Sequence, residues 1–350
     1  MDRISQKVLA WYDVHARQLP WRIPPEESKN GVLPDPYHVW LSEVMLQQTT
    51  VVTVKPYFEN FITRWPQLED LAAAQTEEVM GAWAGLGYYS RARNLKACAD
   101  FLAKEKNGKF PSTKAELEKL PGVGDYTSSA IASIAFAQAA PVVDGNIERV
   151  ISRLSADPTP LPAFKKICRK HMETITPHDR PGDFAQAMMD LGATICTPKS
   201  PNCAACPLQD DCRAREQGNP LQFPNKPKKK AKPTRKGACF VIQRSDGAIW
   251  LQNRPPTGLL GGMAQVPTTD WSSRVDGATG SDAAPFPANW QRHETARHTF
   301  THFHLELEVW STMSNHTLES GWWSTPDQIG GEALPTAIKK VILSAIPDAF

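Results

Sequence analysis

No run of the 350-residue chain is apolar for long enough to cross a bilayer. The most apolar stretch, "SAIASIAFAQAAPVV", is short and interrupted by polar residues and proline. The opening residues, "MDRISQKVLAWYDVHARQLPW", lack the apolar centre of a secretory leader and read as an amphipathic helix carrying Ile4, Val8 and Trp11. A cytosolic location with no membrane partner is therefore expected. An excess of charge is missing too. The 39 Lys and Arg residues against 37 Asp and Glu leave a formal net charge of +2, so bulk charge does not announce a polyanion as partner. Cysteine is scarce at 7 residues, and a reducing compartment disfavours structural disulfides. These thiols are expected to be ligands or core residues, with the isolated Cys98, Cys168 and Cys239 in the core.

What is present divides the chain. A length of 350 residues exceeds one ordinary core, so two domains are expected. The stretch "FPNKPKKKAKPTRKG" carries seven Lys or Arg and three Pro between Pro224 and Gly237, with no acid. Like charges and prolines keep such a segment extended and solvated, and it can also touch a polyanion. Before it, "HVWLSEVMLQQTTVVTVKPYFENFITRW" and "TSSAIASIAFAQ" repeat apolar residues at helical spacing. After it, "ACFVIQRSDGAIWLQNRP" predicts a β-hairpin turning at Ser-Asp-Gly. "FHLELEVW" alternates like a half-buried strand, and "TAIKKVILSAI" returns to helical period. The expected organisation is an all-α domain over 1–222, a basic linker over 223–236 and a smaller α/β domain over 237–350. "DWSSRVDGATGSDAAPFPANW" has loop composition.

Four places can carry chemistry. In "LEKLPGVGDYTSSAIASIAF", Gly122 and Gly124 form a tight turn before a helix beginning near Asp125. Such a turn aims backbone N–H groups and the positive end of the helix dipole at an anion, and glycine lets a phosphate approach closely. It can equally be an ordinary helix connection. In "PVVDGNIERV", Asp144 ends an apolar run and is either a functional carboxylate or a helix N-cap, roles that are compatible. In "VWLSEVMLQQT", Glu43 lies among Val39, Trp40, Val44, Met45 and Leu46. If that face is buried, desolvation raises the carboxyl pKa and leaves a general acid; periodicity alone also allows a solvated face. Finally, Cys196, Cys203, Cys206 and Cys212 are spaced C-x6-C-x2-C-x5-C, which as a generic pattern suits a structural zinc site.

Together, the glycine turn, the following aspartate and the cysteine spacing resemble the endonuclease III superfamily of helix-hairpin-helix DNA glycosylases. Within it, "SEVMLQQT", "GLGYYSRARNL", "LPGVGDYTSSAIASIAF", "VVDGNIERV" and "MMDLGA" are similar to the MutY family of adenine DNA glycosylases, in the same order. "IPPEESKNGVLPD" departs from that family in length. The resemblance implies a multidomain fold: an all-α helix-hairpin-helix glycosylase domain with an iron–sulfur cluster loop, then a C-terminal α/β Nudix-like domain. It implies a [4Fe–4S] cluster on Cys196, Cys203, Cys206 and Cys212, and a phosphate seat at Gly122 and Gly124.

It further implies a monomeric base-excision repair enzyme acting on duplex DNA with A:8-oxoguanine or A:G mispairs. Glu43 would protonate adenine at N7 and Asp144 would stabilise the oxocarbenium sugar, with Tyr126 and Asn146 orienting groups around it. Arg22 and Gln186 would line the flipped-base pocket. Gln48, Leu86 and Tyr88 would wedge beside the opposite base, whereas Tyr89 is expected in the core. Tyr126 stands where strand-cleaving members carry a Schiff-base lysine, and a phenol cannot form that imine, so the strand is expected to stay intact. "LQNRPPTGLLGGMAQVP" resembles the start of a Nudix fold, but no glutamate occurs between Glu216 and Glu294. Without a glutamate run to hold metal, that domain is expected to bind without hydrolysing. Phe300, Thr301 and His302 of "HTFTHFH" match the family's segment that inspects 8-oxoguanine, with threonine where serine is usual. Two other readings are a glycosylase with lyase activity and a non-catalytic, cluster-bearing DNA-binding protein.

Overall fold

The computed structural model describes residues 2–227 and 231–350; residues 228–230 of the basic run lie outside the described residues. Two compact units emerge, Met1–Ala73 with Asn94–Lys229, and Ala74–Arg93 with Lys230–Phe350. Among the described residues no helix is long and apolar enough to cross a membrane.

The described part of the first unit is helical. At its centre is the Glu43 helix, Pro36–Leu46, started by Pro36 at its first position and by Asp35, whose carboxylate accepts from the Tyr37 N–H at 2.8 Å. Every residue from Val39 to Met45 is buried, so this helix is covered on all sides rather than along one stripe. It packs against the hairpin helix, Asp125–Phe136, which in turn packs against the Gln186 helix, Pro181–Asp190. The close approach is a matter of residue size. The hairpin helix is rich in Ser and Ala, and a Cβ on Gly182 would stand 2.8 Å from the Ile134 Cα. The Asp144 helix, Gly145–Ser155, completes the frame, with its basic and apolar residues segregated between two faces.

The second unit holds a mixed sheet. Its strands are β1 (Thr234–Gln243), β2 (Ile249–Asn253), β3 (Ala264–Gln265), β4 (Gln291–Arg292), β5 (Ala296–Thr299), β6 (His304–Met313) and β7 (Trp322–Ser324). The order is β3-β2-β1-β6-β4, with β5 also on β6 and β7 on β2. The expected hairpin is present, antiparallel, with Gln243 opposite Ile249 and Gly247 in the left-handed region at φ 87°. β6 alternates as expected and runs parallel to β1 over its whole length. Val241, Leu251, Leu305, Leu307 and Val309 meet Ile338 and Val341 of the helix Thr336–Ala345 in one core.

Two boundaries differ from expectation. β1 begins at Thr234, inside the segment read as linker. At the other end of that segment, Phe223 is buried, and its carbonyl accepts from Arg153 Nε at 3.1 Å. Basic composition signals solvation but not where side chains such as Phe223 dock. Cys98, Cys168 and Cys239 are fully buried, and Tyr89 is a core residue.

Candidate active site and cysteine loop

The helical hairpin ends a short helix, Lys114–Leu117, and turns through Gly122 and Gly124. Gly122 adopts φ +72°, and a Cβ there would stand 2.5 Å from the Asn94 Cβ, so both conformation and space require glycine. Gly124 is the N-cap of the hairpin helix and has open space before it. The free N–H groups of that helix end therefore face an accessible surface.

A cleft of about 1490 Å³ opens beside this turn. Its lining includes Arg22, Glu43, Gln48, Gly122, Gly124, Tyr126, Asp144, Asn146 and Gln186. Nine expected residues from five separate places in the chain thus meet in one space. Glu43 is buried, which excludes the solvated-face reading. Burial pushes its carboxyl up to about 7, against the Tyr126 hydrogen bond and the Arg22 charge, which pull it down. The Tyr126 hydroxyl donates to Glu43 Oε2 at 2.6 Å. Burial together with the neighbouring carboxylates also holds the Tyr126 phenol well above its ordinary value, so it remains a donor.

Asp144 is both cap and cleft residue. Oδ1 accepts from the Ile147 N–H at 2.7 Å, and Oδ2 accepts from Asn146 Nδ2 at 2.8 Å. Burial raises its pKa, while the Ile147 and Asn146 hydrogen bonds oppose the rise. Two carboxyl groups thus share the cleft in different surroundings. Glu43 has only a phenol as donor in contact, whereas Asp144 has a backbone amide and a carboxamide. Burial raises both carboxyls, and at Asp144 the two donors restrain the rise.

Several supporting residues were not foreseen. Asp190, fully buried in the quoted "MMDLGA", accepts from Arg22 Nη1 at 3.0 and 2.9 Å and from Arg17 Nε at 2.7 Å. Arg22 is therefore fixed by Asp190 and acts on Glu43 by its charge. Arg149 Nη2 donates to Asn146 Oδ1 at 2.8 Å and to the Gly192 carbonyl at 2.6 Å, while its Nε reaches the Cys196 carbonyl at 2.7 Å. One turn later, Arg153 Nη1 donates to Cys196 Sγ at 3.3 Å and to the Thr197 carbonyl at 2.8 Å. Their helical spacing of four was the available signal.

Cys196, Cys203, Cys206 and Cys212 are free thiols around one small cavity of about 30 Å³, with Arg153 beside them. Among the described residues, no three His, Cys, Asp or Glu side chains converge on a single ion. Four thiols around a common space, with an arginine to balance thiolate charge, fit a cluster held by Cys₄ ligation.

The remaining expected residues lie in the second unit. Tyr88 is exposed with φ 48°, and its hydroxyl is hydrogen-bonded to Thr301 Oγ1. Phe300 stacks on Phe303 at 4.7 Å. Thr301 and His302 are exposed in the turn between β5 and β6. Leu86, expected beside a base, has a buried side chain, and its carbonyl accepts from Arg91 Nη2 at 3.1 Å.

Comparison with known proteins matches three parts of the chain. The HhH-GPD superfamily of base excision DNA repair proteins matches residues 41–177. The iron–sulfur binding domain of endonuclease III matches 196–212, and the NUDIX domain matches 238–344. The adenine DNA glycosylase of Homo sapiens is 37% identical over 95% of this chain and 72% of its own length. That of Buchnera aphidicola subsp. Schizaphis graminum is 32% identical over 97% of both. Among solved structures, a thermostable thymine-DNA glycosylase aligns with a TM-score of 0.53 at 28% identity, covering 61% of this chain and 95% of that one. A non-covalent endonuclease III–DNA complex aligns with a TM-score of 0.50 at 25% identity, over 61% and 94%.

Proposed function

The chain belongs to the adenine DNA glycosylase family, and from that premise we propose that it hydrolyses the N-glycosidic bond of adenine opposite 8-oxoguanine or guanine in duplex DNA, leaving the strand intact. The observation that carries this reading is the pair Glu43 and Asp144 in a single cleft, one keeping its proton to about pH 7 and the other accepting two hydrogen bonds.

Adenine is a poor leaving group as an anion, so it must gain a proton as it departs. Glu43, retaining its proton to about pH 7, supplies it to N7. The sugar then carries oxocarbenium charge, which the Asp144 carboxylate stabilises or captures until water adds at C1′, its released proton replacing the one that Glu43 gave to adenine. Tyr126 fixes Glu43, and Asn146 fixes Asp144. The base leaves the stack to enter the cleft, at a cost of about a few kcal/mol, and Gln186 in the cleft wall is placed to meet it. Gly122 and Gly124 seat a backbone phosphate without reading sequence. Cys196, Cys203, Cys206 and Cys212 hold a [4Fe–4S] cluster, which orders their loop. Tyr88 and Thr301 contact the opposite base. Tyr126, in place of a Schiff-base lysine, argues for hydrolysis without lyase chemistry.

The test is a duplex with one A:8-oxoguanine pair, assayed with and without alkali. Breakage only after alkali supports the proposal. Breakage without alkali selects the lyase reading, and no breakage in either case selects the non-catalytic one.

A further inference from the structure

Asp125 is the first residue of the hairpin helix, directly after the glycine turn. A carboxylate there is out of place for a phosphate seat, because it carries the charge of the ligand itself. It is also engaged. Oδ1 pairs with Lys114 Nζ at 2.9 Å, and Oδ2 pairs with Arg169 Nη2. The three residues come from three elements and meet at the cleft rim, where Asp125 and Arg169 stand beside Lys166 and Lys170. The Asp125 side chain is half exposed, and exposed ion pairs contribute little to stability. Burial would raise its pKa, but the Lys114 hydrogen bond and the Arg169 charge bring it below the ordinary aspartate value, so it is ionised at neutral pH.

We propose that Asp125 is an internal stand-in for a DNA phosphate: in the free enzyme it holds Lys114 and Arg169, and on binding it yields them to the duplex backbone. The inference rests on the DNA-glycosylase reading above and deepens it. The carboxylate keeps two cations arranged at the seat, and every bound phosphate must compete with it. Affinity for undamaged duplex is thereby held down, and the product strand leaves sooner.

The deciding experiment is binding of an undamaged duplex by Asp125→Asn across a salt series, beside single-turnover and steady-state base release from A:8-oxoguanine. Asparagine keeps the shape and removes the charge. Freeing cations for one further phosphate steepens the slope of log K against log salt by about 0.9. The expected result is tighter binding, by about tenfold at low salt, on that slope, with steady-state turnover slowed more than single-turnover release. Arg169→Ala in the Asp125→Asn background should reverse most of the gain. Weaker binding by Asp125→Asn, or an unchanged slope, overturns the proposal and makes Asp125 a structural anchor for Arg169. If Asp125→Asn fails to fold, Asp125→Glu keeps the charge and must bind like the parent; tighter binding by it also overturns the idea. Absence of base release by the parent would instead refute the glycosylase reading, while the salt slopes would still judge Asp125.

Discussion

Glu43 shows how one side chain's surroundings set a pH profile. Its carboxyl is raised to about 7 because burial penalises the charged form more than Tyr126 and Arg22 favour it. A raised acid keeps its proton below that value and loses it above, so single-turnover base release should fall as pH rises through about 7. Asp144 must be ionised, and burial raises its pKa too. The acid limb should therefore lie above the ordinary aspartate value. Tyr126→Phe removes a hydrogen bond that favours the Glu43 carboxylate, so the alkaline limb should move upward. A downward move would mean that the phenol is not what restrains Glu43. Glu43→Gln should lower release by about a hundred- to ten-thousand-fold, the usual share of a general acid, with duplex binding kept. Substantial residual turnover would place the acid elsewhere.

Between the Asp144 helix and the cysteine loop, Arg149 and Arg153 reach across to backbone carbonyls, and the closest approach falls at a glycine. A Cβ on Gly192 would stand 2.6 Å from the Asn146 Cβ. Gly192→Ala must therefore displace either Asn146 or the π-helical turn Leu191–Ile195, at about 1–3 kcal/mol for an overpacked contact. Because Asn146 holds Asp144, base release should fall along with Tm; parental values of both would show that the contact relaxes freely. On the other side of this contact, the purified protein should be yellow-brown with about four iron per chain, as Cys₄ cubane ligation requires. A single zinc would contradict it, and Cys203→Ala should harm folding or DNA affinity more than the chemical step. This element also shows what was legible. Helical period, the glycine turn and the cysteine spacing could be read directly, as could Glu43 and Asp144 by type and neighbours. Asp190 could not, because its ion pair with Arg22 joins residues 168 apart; the spacing of Arg149 and Arg153 puts them on one helix face but does not say what that face meets. Nor could the burial of Leu86, since "GLGYYS" has no period to assign a face.

At the scale of the whole chain, the proposed function draws its chemistry and its specificity from different units. Glu43, Tyr126, Asp144 and the four cysteines belong to the first; Tyr88 and Thr301 belong to the second. Composition placed the division at residue 222, but a chain ending there would lose the buried Phe223 and the carbonyl that Arg153 holds. It would also lose the Asn225 carbonyl, which accepts from the Leu161 N–H at 3.0 Å. The informative truncation therefore ends after Pro227. It should keep its cluster and still release adenine opposite guanine. Its preference for 8-oxoguanine should shrink by about ten- to a hundred-fold, since one base-edge hydrogen bond is worth about 1–3 kcal/mol of discrimination. Truncation also strips Ala74–Arg93 of the rest of its unit, so the substitution Thr301→Val in the full chain is the stricter test. Valine keeps the shape of threonine and removes only the hydroxyl that meets Tyr88. If Thr301→Val weakens the preference in the same direction, the hydroxyl reads the changed edge of the base. If it leaves the preference whole while the truncation abolishes it, the second unit acts through the Tyr88 turn it supports, and discrimination belongs to the wedge.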